Sequence, residues 1–326
     1  MIEDSFGRVH DYLRISLTDN CNLRCFYCMP EEDYDFAPSS ALMQPDEILK
    51  IATLFVEQGV RKIRLTGGEP LVRKDAASII RSLATLPVQL TMTTNGARLH
   101  EFRQVIVESG IRSINISLDT LQESRFLFIT RRNIFRQVMQ NIDLMLQMQL
   151  HVKINVVVMK GLNDHEITDF IAWTKDRPVH VRFIEFMPFS GNKWTGNQVF
   201  TWQEILTIAQ EKFDFIPLEG KANDTAKSYQ VKDSQGTFSV ISTMSAPFCS
   251  TCNRMRLTAD GKLKNCLFSK GETDLLSALR AGSDITPLIL DTISKKEKAL
   301  GGQLKTDYTH LESDKIENRS MITIGG

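Results

Sequence analysis

Six cysteines stand in two groups of three, and any chemistry of this chain has to start from them. Cys21, Cys25 and Cys28 lie within the run Cys-Asn-Leu-Arg-Cys-Phe-Tyr-Cys. Three thiolates this close cannot all pair as disulfides, and a tight loop aims them at one point. Cysteine thiolates are the usual ligands of iron–sulfur clusters, and four of them complete a four-iron cluster. Three leave one iron without a protein donor, and an open coordination position is what a catalytic metal site keeps. The loop is therefore expected to hold a cluster that also binds something else. Zinc would need a fourth Cys or His at suitable spacing. No nearby His supplies it, since His10 lies on the other side of the first strand. The second group, Cys249, Cys252 and Cys266, is widely spaced. Taken alone it suits structural zinc as well as a cluster, with His310 available as a fourth ligand.

Other residues carry a second layer of chemistry. Gly67-Gly-Glu-Pro70 follows a strand; two glycines admit a ligand to the backbone, and Glu69 offers a carboxylate to an ammonium or a hydroxyl. Arg14, Arg64, Lys153 and Arg182 all fall on expected strands, where buried charge needs a partner. Each alone could serve a structural ion pair, but several converging would form a polyanion pocket, and arginine forks match phosphate well. Arg254 and Arg256 flank Met255, so both point to one face beside the second cysteine group. Met139, Met145 and Met148 read as core filling.

Lys and Arg total 39, as do Asp and Glu, and this neutrality argues against a strongly basic nucleic-acid binder. Apolar residues make up 42% of the chain, enough for a sizeable core. No apolar run approaches the roughly 20 residues of a membrane span. The start, Met1-Ile-Glu-Asp-Ser-Phe-Gly7, has neither a basic nor an apolar signal region. Clustered cysteines suggest metal binding in a reducing compartment, so a cytoplasmic protein with no membrane association is expected.

The elements that must position these residues are legible as alternating segments. Strands are expected at 12–18, 62–66, 89–94, 113–117, 152–159 and 179–186, and helices at 45–58, 74–84, 99–109, 133–149 and 164–175. Strand–helix units at this spacing imply parallel strands with right-handed crossovers. The cysteine loop, Gly67–Pro70, Thr93–Gly96 and Leu118–Asp119 all follow strand C-termini, the rim where βα barrels build sites. Six units are fewer than the eight of a closed barrel. The expected fold class is therefore α/β, a partial, open TIM-type βα barrel. A division into 1–219 (barrel) and 220–326 (C-terminal region) follows from weakening alternation beyond the Thr201–Glu204 capping box. In the second part a strand is expected at 237–242 and a hairpin over 255–258 and 262–266, which returns Cys266 towards Cys249 and Cys252.

Cys-x-x-x-Cys-x-x-Cys with an aromatic before the last Cys, followed by Gly-Gly-Glu-Pro, resembles the radical S-adenosylmethionine (SAM) superfamily. The second set, Cys-x-x-Cys-Asn-Arg-x-Arg-Leu-Thr-x-Asp-Gly…Cys, and the Gly-Gly terminus resemble its GTP 3′,8-cyclase family of molybdenum cofactor biosynthesis. The resemblance covers nearly the whole chain and is weakest over 271–317. It implies two 4Fe-4S clusters, on Cys21, Cys25 and Cys28 and on Cys249, Cys252 and Cys266, the second in the C-terminal extension. It places Tyr27, Gly68, Ser117 and Met187 at SAM. It places Arg14, Arg64, Thr93, Lys153, Arg182, Arg254 and Arg256 around GTP, with Met255 contributing its backbone and Thr94 adjacent to the Thr93 position. Gly325-Gly326 would enter the cavity. The implied reaction begins with hydrogen abstraction from ribose C3′ of GTP by a 5′-deoxyadenosyl radical and closes C3′ onto C8 of guanine. The implied partners are an external electron donor, a downstream pterin-forming enzyme and a second copy of the chain.

Two other readings are weighed beside it. A peptide-modifying radical SAM enzyme with an auxiliary cluster usually carries more cysteines in its C-terminal region. A non-enzymatic electron carrier should coordinate each cluster with four cysteines and needs no set of βα units.

Overall fold

The computed structural model describes residues 1–30, 34, 36–304, 307–311 and 313–325. Strand alternation builds its sheet. In β1 (Tyr12–Ser16) the fully buried Leu13 and Ile15 join the hydrophobic core, while Tyr12 and Arg14 face a central cavity. The pattern repeats in β2 (Lys62–Thr66), β3 (Gln89–Thr94), β4 (Ser113–Ser117), β5 (His151–Val158) and β6 (His180–Glu185). Val152, Ile154, Val181 and Phe183 face the core, and Lys153, Asn155 and Arg182 face the cavity. A period of two thus sends apolar side chains to the helices and polar ones inward. Each fully buried Leu or Ile contributes about 1.5–3 kcal/mol, so this face fixes the register that aims the polar face.

The helices on the apolar side have local causes. Pro45 opens α1 (Pro45–Glu57), with Gln44 and Glu47 closing a capping box. Ile48, Ile51, Ala52 and Phe55 form its buried stripe, and Gly59 follows at φ +103°. Then come α2 (Ala76–Leu83), α3 (Arg103–Glu108), α4 (Glu123–Thr130), α5 (Phe135–Gln147) and α6 (Ile167–Trp173). The expected helices at 99–109 and 164–175 begin as 3-10 turns. α4 was not expected, because its Phe-Leu-Phe-Ile run has no clean amphipathic period and leaves Leu127 and Phe128 exposed.

The six strands pair in parallel in sequence order. After α7 (Trp202–Gln210), capped by Thr201 as expected, come β7 (Phe215–Pro217), β8 (Lys227–Val231) and β9 (Thr237–Ile241). The expected hairpin forms from β10 (Arg254–Leu257) and β11 (Lys262–Lys264), with Gly261 at φ +71°; β12 (Thr273–Asp274) follows. The chain ends in α8 (Leu275–Arg280), α9 (Thr286–Ser294) and a short α10 (Met321–Ile324). The described residues from 220 onward do not form a separate layer. β9 joins β6 and β10 joins β1, both in parallel, so one mixed sheet of 12 strands runs from β12 to β7 without closing.

A second apolar cluster seals the rim. Phe189 stacks on Phe268 with centroids 6.0 Å apart, and buried Trp194 donates Nε1–H to the Phe186 carbonyl at 2.9 Å. The stack ties the loop after β6 to the segment that follows β11, and the Trp194 bond closes that loop on itself.

Candidate active site

The first cysteine loop leaves β1 and is gripped from both sides. The backbone N–H groups of Arg24 and Phe26 donate to the Thr130 and Ile129 carbonyls at the end of α4, at 2.9 and 3.1 Å. Cys28 and Met29 N–H both return to the Cys25 carbonyl, closing a turn that gathers the thiols. On the other side Gly68 N–H donates to Thr18 O at 2.7 Å and Glu69 N–H to Asn20 O at 2.8 Å. A Cβ at Gly68 would lie 2.5 Å from the carbonyl oxygens of Asp19 and Asn20. The glycine here admits the backbone of the cysteine loop itself, not only a ligand.

Glu69 corrects the expectation that its carboxylate serves a ligand. It is 1% exposed, and it accepts from Leu71 N–H at 3.0 Å, Thr94 Oγ1–H at 2.8 Å and Asn95 N–H at 2.6 Å. It braces β2 to β3. Burial raises its pKa to about 7 in spite of these donors. The same bond commits the Thr94 hydroxyl, whereas Thr93 faces the cavity within 3.4 Å of Arg64 Nη1.

Tyr27, Gly68, Ser117 and Met187 all line the cavity with the three thiols. The Tyr27 hydroxyl donates to Asp119 Oδ2 at 2.6 Å, and Val157 N–H donates to Asp119 Oδ1 at 2.9 Å. Burial raises the Asp119 carboxyl to about 6 despite both bonds.

The second set reaches the same cavity from the hairpin. Cys249 and Cys252 share a turn, Cys252 N–H donating to Cys249 O at 3.2 Å, and Cys266 follows β11. All six cysteines are free thiols. His10 is buried against Asp4 at 2.9 Å, and His310 is exposed.

Both sets suit iron–sulfur ligation. Burial raises Cys21 to about 11 and lifts Cys25 and Cys28 well above the ordinary thiol range, and the neighbouring thiols of the loop add to the shift at Cys25 and Cys28. Three such groups remain thiolates together only on a bound cation. At Cys252 burial acts upward, but Arg254 and Lys296 outweigh it and bring the thiol down to about 6.

Between the sets runs a belt of cations. Arg14 pairs in register with Arg64 on one side and Arg256 on the other, and Tyr12 pairs with Arg254. Arg64 is aimed by Tyr12 OH and the Met92 carbonyl, and Arg182 by Asn155 Oδ1 at 2.9 Å. Burial first, then the neighbouring cations, lowers Arg182 to about 9, Lys153 to about 8 and Arg256 to about 10, and Arg14 well below its usual value. These mutually repelling cations line a cavity of about 700 Å³ and would be relieved by a polyanion. Met255 differs from its neighbours. Its side chain is fully buried in the core, in register with Leu13, so only its main chain is on offer.

Gly325 arrives at the C-terminal ends of β1 and β2, where a Cβ would lie 2.6 Å from Thr66 Oγ1. Gly326 lies outside the described residues.

Sequence reading missed the carboxylates that hold these loops. Glu185, fully buried, accepts from Trp202, Met244 and Ser245 N–H at 3.0, 2.7 and 2.9 Å, and so sets the path into Cys249. Glu166, also fully buried, accepts from Thr120 Oγ1–H and Leu121 N–H, both at 2.7 Å, beside Asp119. The sole sequence signal for either was a charge at an otherwise apolar strand or helix end.

A three-thiol loop after the first strand of an open, largely parallel α/β sheet, facing a cavity at the strand C-termini, defines a radical SAM protein. The sequence matches the Radical SAM superfamily over residues 15–174 and Molybdenum Cofactor Synthesis C over 179–301. The fold is similar to that of SuiB from Streptococcus suis, solved bound to S-adenosylmethionine. The TM-score is 0.60 at 13% identity, covering 89% of this chain and 68% of that one. The chain is 44% identical to the mitochondrial GTP 3′,8-cyclase of Arabidopsis thaliana, over 100% of this chain and 84% of the relative. It is 39% identical to the GTP 3′,8-cyclase of Listeria monocytogenes, over 100% and 99%. It is 46% identical to molybdenum cofactor biosynthesis protein 1 of Drosophila melanogaster, over 91% of this chain but 54% of that protein, so it spans about half of that relative's length. The chain belongs to the GTP 3′,8-cyclase family of the radical SAM superfamily.

Proposed function

We propose that the chain is a GTP 3′,8-cyclase, converting GTP to (8S)-3′,8-cyclo-7,8-dihydroguanosine 5′-triphosphate in the first step of molybdenum cofactor biosynthesis. The observation that carries this reading is the convergence of two three-thiol sets and one cation belt on a single cavity.

Cys21, Cys25 and Cys28 would hold one 4Fe-4S cluster, with SAM bound against Tyr27, Gly68, Ser117 and Met187. Cys249, Cys252 and Cys266 would hold the second, in the C-terminal extension of a partial barrel. When bound, the first cluster and SAM supply the hydrogen-abstracting 5′-deoxyadenosyl radical at ribose C3′, so that C3′ can join C8 of guanine.

The chain's own part is binding, orientation and exclusion of water. Arg14, Arg64, Lys153 and Arg182 would clamp the triphosphate, each pre-aimed by sheet register. Arg254 and Arg256 would hold the nucleotide's other end beside the second set, together with the Met255 backbone and the Thr93 hydroxyl. A polyanion relieves the repulsion within the belt and raises the Lys153 pKa from about 8, so GTP binding near that pH takes up protons. Fixing the substrate at both ends holds the reacting atoms in contact, which is where most of the available rate gain lies. An external electron donor, a downstream pterin-forming enzyme, a homodimeric state and a cytoplasmic location complete the reading.

The test is anaerobic reconstitution followed by incubation with GTP, SAM and dithionite. 5′-Deoxyadenosine and cyclised GTP are expected in equal amounts. An iron-loaded chain that makes neither would defeat the proposal. Cys266→Ala should retain SAM binding and lose GTP turnover, and full turnover in that variant would remove the role of the second set.

A further inference from the structure

The motif resemblance is weakest over residues 271–317, yet the Molybdenum Cofactor Synthesis C match reaches residue 301 and part of the stretch lies against the second cysteine set. After α9 the chain turns inward. Lys296 is 3% exposed, its Nζ donates to the Arg254 carbonyl at 3.0 Å, and it also donates to Cys252 Sγ at 3.5 Å. Four residues on, Leu300 N–H donates to Cys249 Sγ at 3.4 Å. One segment thus supplies donors to two of the three sulfurs.

The segment is itself clamped. Arg8 Nη1 donates to the carbonyls of Lys298 and Cys249, both at 2.8 Å, and Nη2 to that of Glu297 at 2.9 Å. Asp4 holds Arg8 from behind at 2.6 Å.

A buried ammonium needs compensating charge. Burial lowers the Lys296 pKa; the sulfurs of Cys252 and Cys266 act against that, while Arg8 and Arg254 add to it. The first set differs. Cys21 receives the neutral donors Leu23 N–H at 3.4 Å and Asn95 Nδ2–H at 3.7 Å.

We propose that Lys296 is a positioning residue for the second set: docked on the Cys252 sulfur and the Arg254 carbonyl, its ammonium raises the reduction potential of the cluster held there. The inference rests on the reading that Cys249, Cys252 and Cys266 hold a 4Fe-4S cluster. A cationic donor to a ligating thiolate stabilises the more negative, reduced state, since hydrogen bonds to sulfur and nearby charge set such potentials. The same bond to the Arg254 carbonyl keeps that residue's strand end in place, with its guanidinium over the Phe248 ring at 4.8 Å.

The experiment is a redox titration of the reconstituted full chain, followed by electron paramagnetic resonance, with iron counted per chain. The second cluster's signal is identified as the one lost in Cys266→Ala. Lys296→Met keeps the length and apolar stem but removes the charge. In that variant the ratio of reduced to oxidised second cluster at a fixed ambient potential should fall about tenfold, equivalent to about 59 mV for a one-electron couple. Lys296→Arg should restore the wild-type ratio to within about threefold, and the first cluster's signal should not move in either variant. An unchanged ratio in Lys296→Met, or a tenfold fall in Lys296→Arg, overturns the inference. If Lys296→Met fails to retain iron at the second set, the Lys296→Arg titration alone decides, by the same criterion. A wild-type chain holding about four irons rather than about eight defeats the two-cluster reading instead.

Discussion

Arg256 Nη1 donates to the Gly325 carbonyl at 2.6 Å, joining β10 to the C-terminal tail. The same arginine pairs in register with Arg14. Upstream of Gly325, Met321 and Ile322 of the same tail line the cavity.

Gly325→Ala tests that placement. Gly325 has φ +83°, and a Cβ there would lie 2.6 Å from Thr66 Oγ1 and 2.9 Å from Ser16 Cβ. The tail must withdraw, freeing Arg256. A misplacement of about 1 Å can cost on the order of 100-fold in rate. GTP turnover should fall by about that factor, with iron content and the unfolding midpoint unchanged. Wild-type turnover would show that the tail is a bystander.

Arg319 holds the tail from outside. It bonds Asp260 Oδ1 at 2.8 Å and Glu272 Oε1 at 2.6 Å. Arg319→Met leaves both carboxylates without it and should make residues 318–325 open to limited proteolysis. Turnover should fall with it, while SAM binding stays. Equal protease resistance in the variant and the wild type would sink this latch.

Glu185 collects three backbone N–H groups, that of Trp202 at the start of α7 and those of Met244 and Ser245 ahead of the second cysteine set. Glu185→Ala orphans all of them in a buried site, each costing about 1–3 kcal/mol. A loss of at least about 3 kcal/mol is expected, measured by urea unfolding, with second-set iron lost before first-set iron. A stable variant with full iron at both sets would contradict this role.

His180 makes stability depend on pH. Burial first, then Arg182 and Lys153, lowers its pKa from the ordinary 6.5 to about 3. The folded chain thus binds a proton there less readily than the unfolded one. The contribution is fully present above pH 6.5 and is lost as pH falls from 6.5 towards about 3, at up to about 1.4 kcal/mol per unit. Between pH 6.5 and 4.5, His180→Gln should lose stability less steeply than the wild type. Parallel curves in urea titrations would refute the assignment.

Much of the site was legible because it is written locally. Cysteine spacing, the Gly-Gly-Glu-Pro turn and the period-two strands depend on neighbours in the chain, and β2, β3 and β4 ran as expected. The role of Glu69 was not legible. A carboxylate beside a ligand loop reads the same whether it faces the ligand or the donors of Thr94 and Asn95.

What the sequence by itself determined is the chemistry on offer: two sets of three thiols, a run of strand cations and a family pattern. Tertiary structure alone decided where they meet. Pairing of β10 with β1 sets Arg254 beside Tyr12 and Arg256 beside Arg14, across more than two hundred residues of chain, and so faces the second thiol set towards the first. Glu185, Glu166 and Lys296 acquired their roles in the same way. A buried charge is defined by the donors and acceptors that folding brings to it, and those partners lie far away in sequence.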